Sequence, residues 1–148
     1  MKANVPGQRV LVTILVASIV STALHYTNNY LQIDRYPSLP PITNGQTQVA
    51  ILVSWPLLTA IGVFGYWLYV RERAWPARAC LIIYSFIGLV SLGHFLQGVP
   101  AVDWWWLGTI GTDAITALAL WAFTYWSISR ESADYRHAYA GRSGHSRS

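Results

Sequence analysis

Apolar residues gather in four long stretches, near 10–28, 49–70, 79–97 and 105–128, and little of the chain lies outside them. Each approaches the roughly 20 residues that a helix needs to cross the hydrocarbon core of a bilayer. In that environment backbone polar groups must be satisfied within the segment, which makes helix the expected form. The expected fold is therefore all-α: an integral membrane four-helix bundle over residues 1–128, followed by a basic tail at 129–148. Apolar residues make up 53% of the 148 and charged ones only 11%, against roughly 25% charge in a soluble domain. A separate soluble domain is not expected.

The basic residues say how such a bundle sits. Lys2 and Arg9 precede the first stretch, Arg71, Arg73 and Arg78 fall between the second and third, and Arg130, Arg136, Arg142 and Arg147 follow the fourth; Arg35 alone lies on the other side. By the positive-inside rule both termini and the second loop face the cytoplasm, while loops 30–48 and 98–104 face outward, as in a multi-pass protein of the cell membrane. The net charge of +4 is interrupted by spans and forms no groove-sized patch, so nucleic acid is excluded as a partner. The expected partners are the bilayer, anionic headgroups near the tail, and a second copy or a membrane-complex subunit. Trp104, Trp105 and Trp106 on one side, and Trp67, Trp75 and Trp126 on the other, suit interfacial belts.

Several segments bear on processing and order. Lys2, Arg9, the run to Leu24 and the small pair Ser21 and Ala23 resemble a cleavable signal peptide, but the apolar character continues toward Leu31, which favours a retained span. Pro37, Pro40, Pro41 and Asn44-Gly45 make the first outer loop extended or turned, a connector or a lid over the bundle. The tail, rich in Arg, Ser, His and Gly, is expected to lack order. Cys80 is the only cysteine, so an intramolecular disulfide and a cysteine-rich zinc site are both excluded. No phosphate-binding loop, dinucleotide fingerprint or nucleophile elbow is present, and no second half related to the first supports a transporter. Gly62 and Gly65, Gly108 and Gly111, and Gly88 with Ser91 offer small surfaces for close helix approach.

Polar residues at membrane depth stand out from this background. Ser18, Ser21 or Thr22, His25, and Asn28 or Asn29 recur at three- and four-residue steps and share one face of the first helix. Ser85, Gly88, Ser91 and His94 form a stripe on the third, and Thr109, Asp113 and Thr116 one on the fourth. Faces that avoid lipid turn toward one another. Pro56, beside Ser54, is expected to bend the second helix and open space.

The candidate catalytic cluster is Asp113, His94 and His25, with Asn28, Asn29, Ser54, Ser91 and Thr109 as binding residues. A lone ionised carboxylate in hydrocarbon costs about 2.5–3.5 kcal/mol even on the mild insertion scale, so Asp113 is expected to pair with a histidine. His25, His94 and Asp113 also meet the ligand count for a non-haem metal such as iron, zinc or copper. His25 and His94 alone would serve as axial ligands of haem b. These residues stand on separate helices with no i, i+4 pair, so spacing favours no cofactor. The leading expectation is a non-enzymatic binding or accessory subunit with a polar His/Asp cluster near the outer face. A membrane enzyme acting on a lipid or isoprenoid through an Asp–His pair, and a bis-His haem carrier, are the alternatives.

Overall fold

The computed structural model describes residues 5–37 and 40–144. Lys2 and Arg147 of the charge map lie outside the described residues, as do positions 38–39 of the first outer loop and 145–148 of the tail. The described chain is helical throughout: α1 (Gln8–Leu31), a 3-10 turn (Ile33–Arg35), α2 (Asn44–Val70), α3 (Ala74–Val90), a second 3-10 turn (Ser91–Gly93), the short α4 (His94–Gln97) and α5 (Trp104–Gly144). Four helical stretches are long and apolar enough to cross a membrane: Gln8–Leu31, Asn44–Val70, Ala74–Leu96 and Trp104–Ala133.

Local chemistry sets where these helices start and turn. Gly7 precedes α1 with φ 77. A Cβ there would meet the Trp126 ring at 2.6 Å, so both the backbone angle and the close approach of α5 require glycine. α2 opens on a capping box, in which Thr43 Oγ1 accepts from Gln46 N–H and Gln46 Oε1 accepts from Thr43 N–H, satisfying two of the free donors at a helix start. Pro76 falls in the first turn of α3, where its missing N–H costs no hydrogen bond. The α2–α3 turn closes through Arg71 and Arg73 N–H on the Leu68 carbonyl.

The helices form a ring in which α1 packs on α2 and α5, and α3 packs on α2 and α5. Side-chain pairs record antiparallel register at each seam. Between α1 and α2, Gln8 meets Tyr66, Thr22 meets Trp55, and Gln48 donates to the Tyr30 carbonyl. Between α3 and α5, Ser91 meets Asp113, Ser85 meets Trp121, and Arg78 meets Ser127. The start of α1, the α2–α3 turn and the Ser127–Arg130 stretch of α5 thus share one end, carrying Arg9, Arg71, Arg73, Arg78 and Arg130. Leu31, Tyr36 and His94 lie at the other.

The interior is divided. Leu11, Leu15, Leu68, Ala77, Leu81, Leu120 and Phe123 fill the basic half with an apolar core. In the other half Ser18, Ser21, Thr22, His25, Asn28, Asn29, Ser91 and Asp113 are buried, while Val16, Val20 and Leu24 on the same α1 are exposed. Polar-in and apolar-out is the arrangement of helices whose outer surface meets hydrocarbon rather than water.

One segment differs from expectation. Residues 129–144, expected to lack order, continue α5 as helix, giving a 41-residue rod of about 60 Å, twice the thickness of a hydrocarbon core. No proline follows Pro100, Arg, Glu and Ala propagate helix well, and Glu131 is held by Arg78 at 2.6 Å. Pro56 lies inside α2, whose helix continues on both sides of it.

Candidate functional site

Two polar layers occupy the end of the bundle opposite the arginines. In the outermost, the rings of His25, His94 and Tyr36 cluster, with centroids 5.4 Å apart for His25–His94, 4.9 Å for Tyr36–His94 and 6.2 Å for His25–Tyr36. Tyr36 comes from the connection between α1 and α2 and inserts its ring among the helix ends, donating its hydroxyl to Asn28 Oδ1 at 2.7 Å. Burial, followed by the charge of Asp113, pushes its phenol up to about 12, so the ring remains a donor at any ordinary pH. The 98–103 connection is pinned against the same loop by Ala101 N–H on the Arg35 carbonyl.

The histidine environments follow from counting protons. Thr109 donates its hydroxyl to the Trp106 carbonyl at 2.6 Å, leaving its lone pairs to accept from His25 Nδ1–H at 3.4 Å. His25 Nε2 is then a bare acceptor, buried and without a hydrogen-bond partner among the described residues. Asn29 Nδ2 lies 3.0 Å from His94 Nε2, while Asn29 Oδ1 is likewise buried and unpartnered. Such orphans cost about 1–3 kcal/mol each unless something supplies a donor.

One turn deeper sits Asp113, fully buried. Ser21 donates to its Oδ1 at 2.5 Å and Ser91 to its Oδ2 at 3.0 Å, and Ser21 also meets Thr112 at 2.6 Å. The expected Asp113–histidine pair is not made: hydroxyls from α1 and from the turn after α3 occupy both oxygens, and the histidines gather one turn away. Nor do the three proposed metal ligands gather, since among the described residues no group of three His, Cys, Asp or Glu is placed to hold a metal ion. The haem arrangement fits no better. Axial bonds of about 2 Å to each imidazole would hold the ring centres roughly 6 Å apart with a macrocycle between them, and these rings are 5.4 Å apart.

A cavity of about 370 Å³ opens beside the outer layer, between α1, α2 and the end of α3. Asn29, His94, Ser54, Ser91, Tyr26 and Pro37 stand on its wall with the apolar Ile51, Val90 and Leu96. Of the candidate binding residues, Asn29, Ser54 and Ser91 therefore face one space. Asn28 is turned to Tyr36, and Thr109 to His25. Tyr36 and Ser21 are site residues absent from the candidate cluster; a tyrosine immediately before Pro37, and a serine on the polar stripe of the first helix, were the available signals.

Fold and site define a class: an all-helical protein with four helices able to cross a membrane and a buried polar cluster at one end of the bundle. Compared with protein-family models, curated proteins and solved structures, the chain matches none.

Proposed function

We propose that the protein is a non-enzymatic binding subunit of the cell membrane, spanning it four times with both termini in the cytoplasm. Its outer cavity would take the polar end of a small amphipathic molecule. The observation that carries this reading is Asn29, a residue only 2% exposed whose Oδ1 has no hydrogen-bond partner among the described residues, on the wall of a cavity whose other surfaces are largely apolar. With the amide turned toward the cavity, a ligand head that donates a hydrogen bond would satisfy it, its apolar body lying against Ile51, Val90 and Leu96. Acid–base chemistry between Asp113 and a histidine has weaker support, because both carboxylate oxygens already accept from serines.

The test is to purify the protein in mild detergent, identify retained small molecules by native mass spectrometry, and compare Asn29→Leu and the cavity-filling Ala50→Phe. Retention by the parent and loss in both variants, with helical content unchanged, is the expected result. Equal retention in all three sinks the assignment of the ligand to this cavity.

A further inference from the structure

We propose that the groove between α1 and α5 at the basic end holds an acyl chain of an anionic phospholipid whose phosphate rests on Arg130. The groove encloses about 480 Å³ and is lined by Val10, Ile14, Ala119, Ala122, Phe123 and Trp126. It exists because α5 presents alanines where the neighbouring turns carry Phe123 and Trp126. From Gly7 to Ile14 it follows α1 for about 10 Å, long enough to seat roughly the first half of an acyl chain.

The mouth of the groove is charged. Trp126 is shared with an adjoining cleft of about 340 Å³ that contains Arg78, Arg130, Glu72 and Glu131. Arg78 is already engaged, by Glu131 at 2.6 Å and by Ser127. Arg130 is exposed with its guanidinium 5.7 Å from the Trp126 ring centroid, and among the described residues the one ion pair is that of Arg78 with Glu131. Glu72 stands between Arg71 and Arg73 in the chain, and Arg9 lies in the first turn of α1 beside Val10. Among the residues named here five arginines stand against two glutamates, and Arg130 is the one whose guanidinium packs on a residue of the groove wall, Trp126.

Physical chemistry assigns the parts their roles. An acyl chain gains little by exchanging lipid neighbours for an equally apolar groove, so the groove fixes position, and headgroup selectivity must come from the guanidinium, whose planar donors suit phosphate. The experiment is native mass spectrometry of the full chain in detergent doped with dioleoyl phosphatidylglycerol or dioleoyl phosphatidylcholine. The expected result is about fivefold preferential retention of the anionic lipid, the scale of one arginine near a charged headgroup. That preference should survive Arg130→Lys in part and vanish in Arg130→Gln, while Ala122→Leu, which fills the groove, should reduce retention of both lipids. Ala119→Leu serves the same purpose if Ala122→Leu loses helical signal. Equal retention of the two lipids by the parent, a preference unchanged in Arg130→Gln, or full retention in the filled-groove variant would each overturn the proposal. None of these outcomes touches the opposite cavity, so the two sites stand or fall separately.

Discussion

Replacing Gly88 by alanine should separate α3 from α5 at the depth of the buried carboxylate. A Cβ at position 88 would lie 2.5 Å from the Asp113 carbonyl oxygen and 3.1 Å from Ala117 Cβ, where ordinary contact begins at 3.4 Å. The deficit of about 0.9 Å falls on backbone in both helices, so no side-chain rotation relieves it. The helices must part, and Ser91, one turn along α3 at 3.0 Å from Asp113 Oδ2, is carried out of hydrogen-bonding range. Overpacking costs about 1–3 kcal/mol, and a buried carboxylate losing one donor a further 1–3, so a loss of about 2–6 kcal/mol is expected. Gly108→Ala is the matched control: nothing lies within 4 Å of its added methyl, and alanine favours helix over glycine by up to about 1 kcal/mol. Thermal unfolding followed by circular dichroism in one detergent should place Gly88→Ala well below the parent and Gly108→Ala at or above it. If the two variants melt together, α3 and α5 do not approach as described.

Other perturbations probe separate links. Tyr36→Phe leaves Asn28 Oδ1 buried without its 2.7 Å donor and should cost about 1–3 kcal/mol in chemical denaturation. Since burial raises that phenol from 10.0 to about 12, its contribution is complete below pH 10 and is lost as pH rises through the folded value. The gap between parent and Tyr36→Phe should therefore close above pH 10 and stay constant below it. Arg78→Met breaks a pair whose arginine is 7% and whose glutamate is 37% exposed. Glu131 can rehydrate, so the loss should be about 1–2 kcal/mol rather than the 3–5 of a fully buried pair, and a double-mutant cycle with Glu131→Gln would measure the coupling. In a Cys80→Ala background, a membrane-impermeant thiol reagent added to intact cells should label Gly45→Cys but not Ser132→Cys; the reverse pattern would invert the proposed topology.

Span number and helical class were legible because hydropathy, length and the spacing of arginines are properties of the chain that packing does not alter. The stripes were legible for the same reason: Ser18, Ser21, His25 and Asn29 share a helix face whatever that face meets, and all four are buried. Which stripe residues pair was not legible, because that depends on axial register between helices far apart in sequence. A shift of one turn decides whether Asp113 meets His25 or Ser21, and the seams place Thr109 opposite His25 and Asp113 opposite Ser21. Glycine roles split in the same way. Gly62, Gly65 and Gly88 face a neighbour closely, whereas Gly108 and Gly111 face open space, though nothing in their local sequence distinguishes them.

The register has a consequence for how the buried acid is tolerated. Histidine partners would have placed titrating groups beside Asp113 and tied the packing of three helices to pH, whereas serine hydroxyls solvate a carboxylate without changing charge themselves. Ser21 comes from α1, Ser91 from the turn after α3, and Asp113 from α5, so the same two bonds that lower the penalty of burying the acid also set the axial alignment of those three elements. The histidines, freed from that duty, stand one turn nearer the cavity with Tyr36 against them and an acceptor nitrogen on His25 unspent. Separating the structural acid from the imidazoles leaves the Asp113 layer to hold the bundle in register, so that under the proposed function His94, on the cavity wall, could change partners without disturbing it.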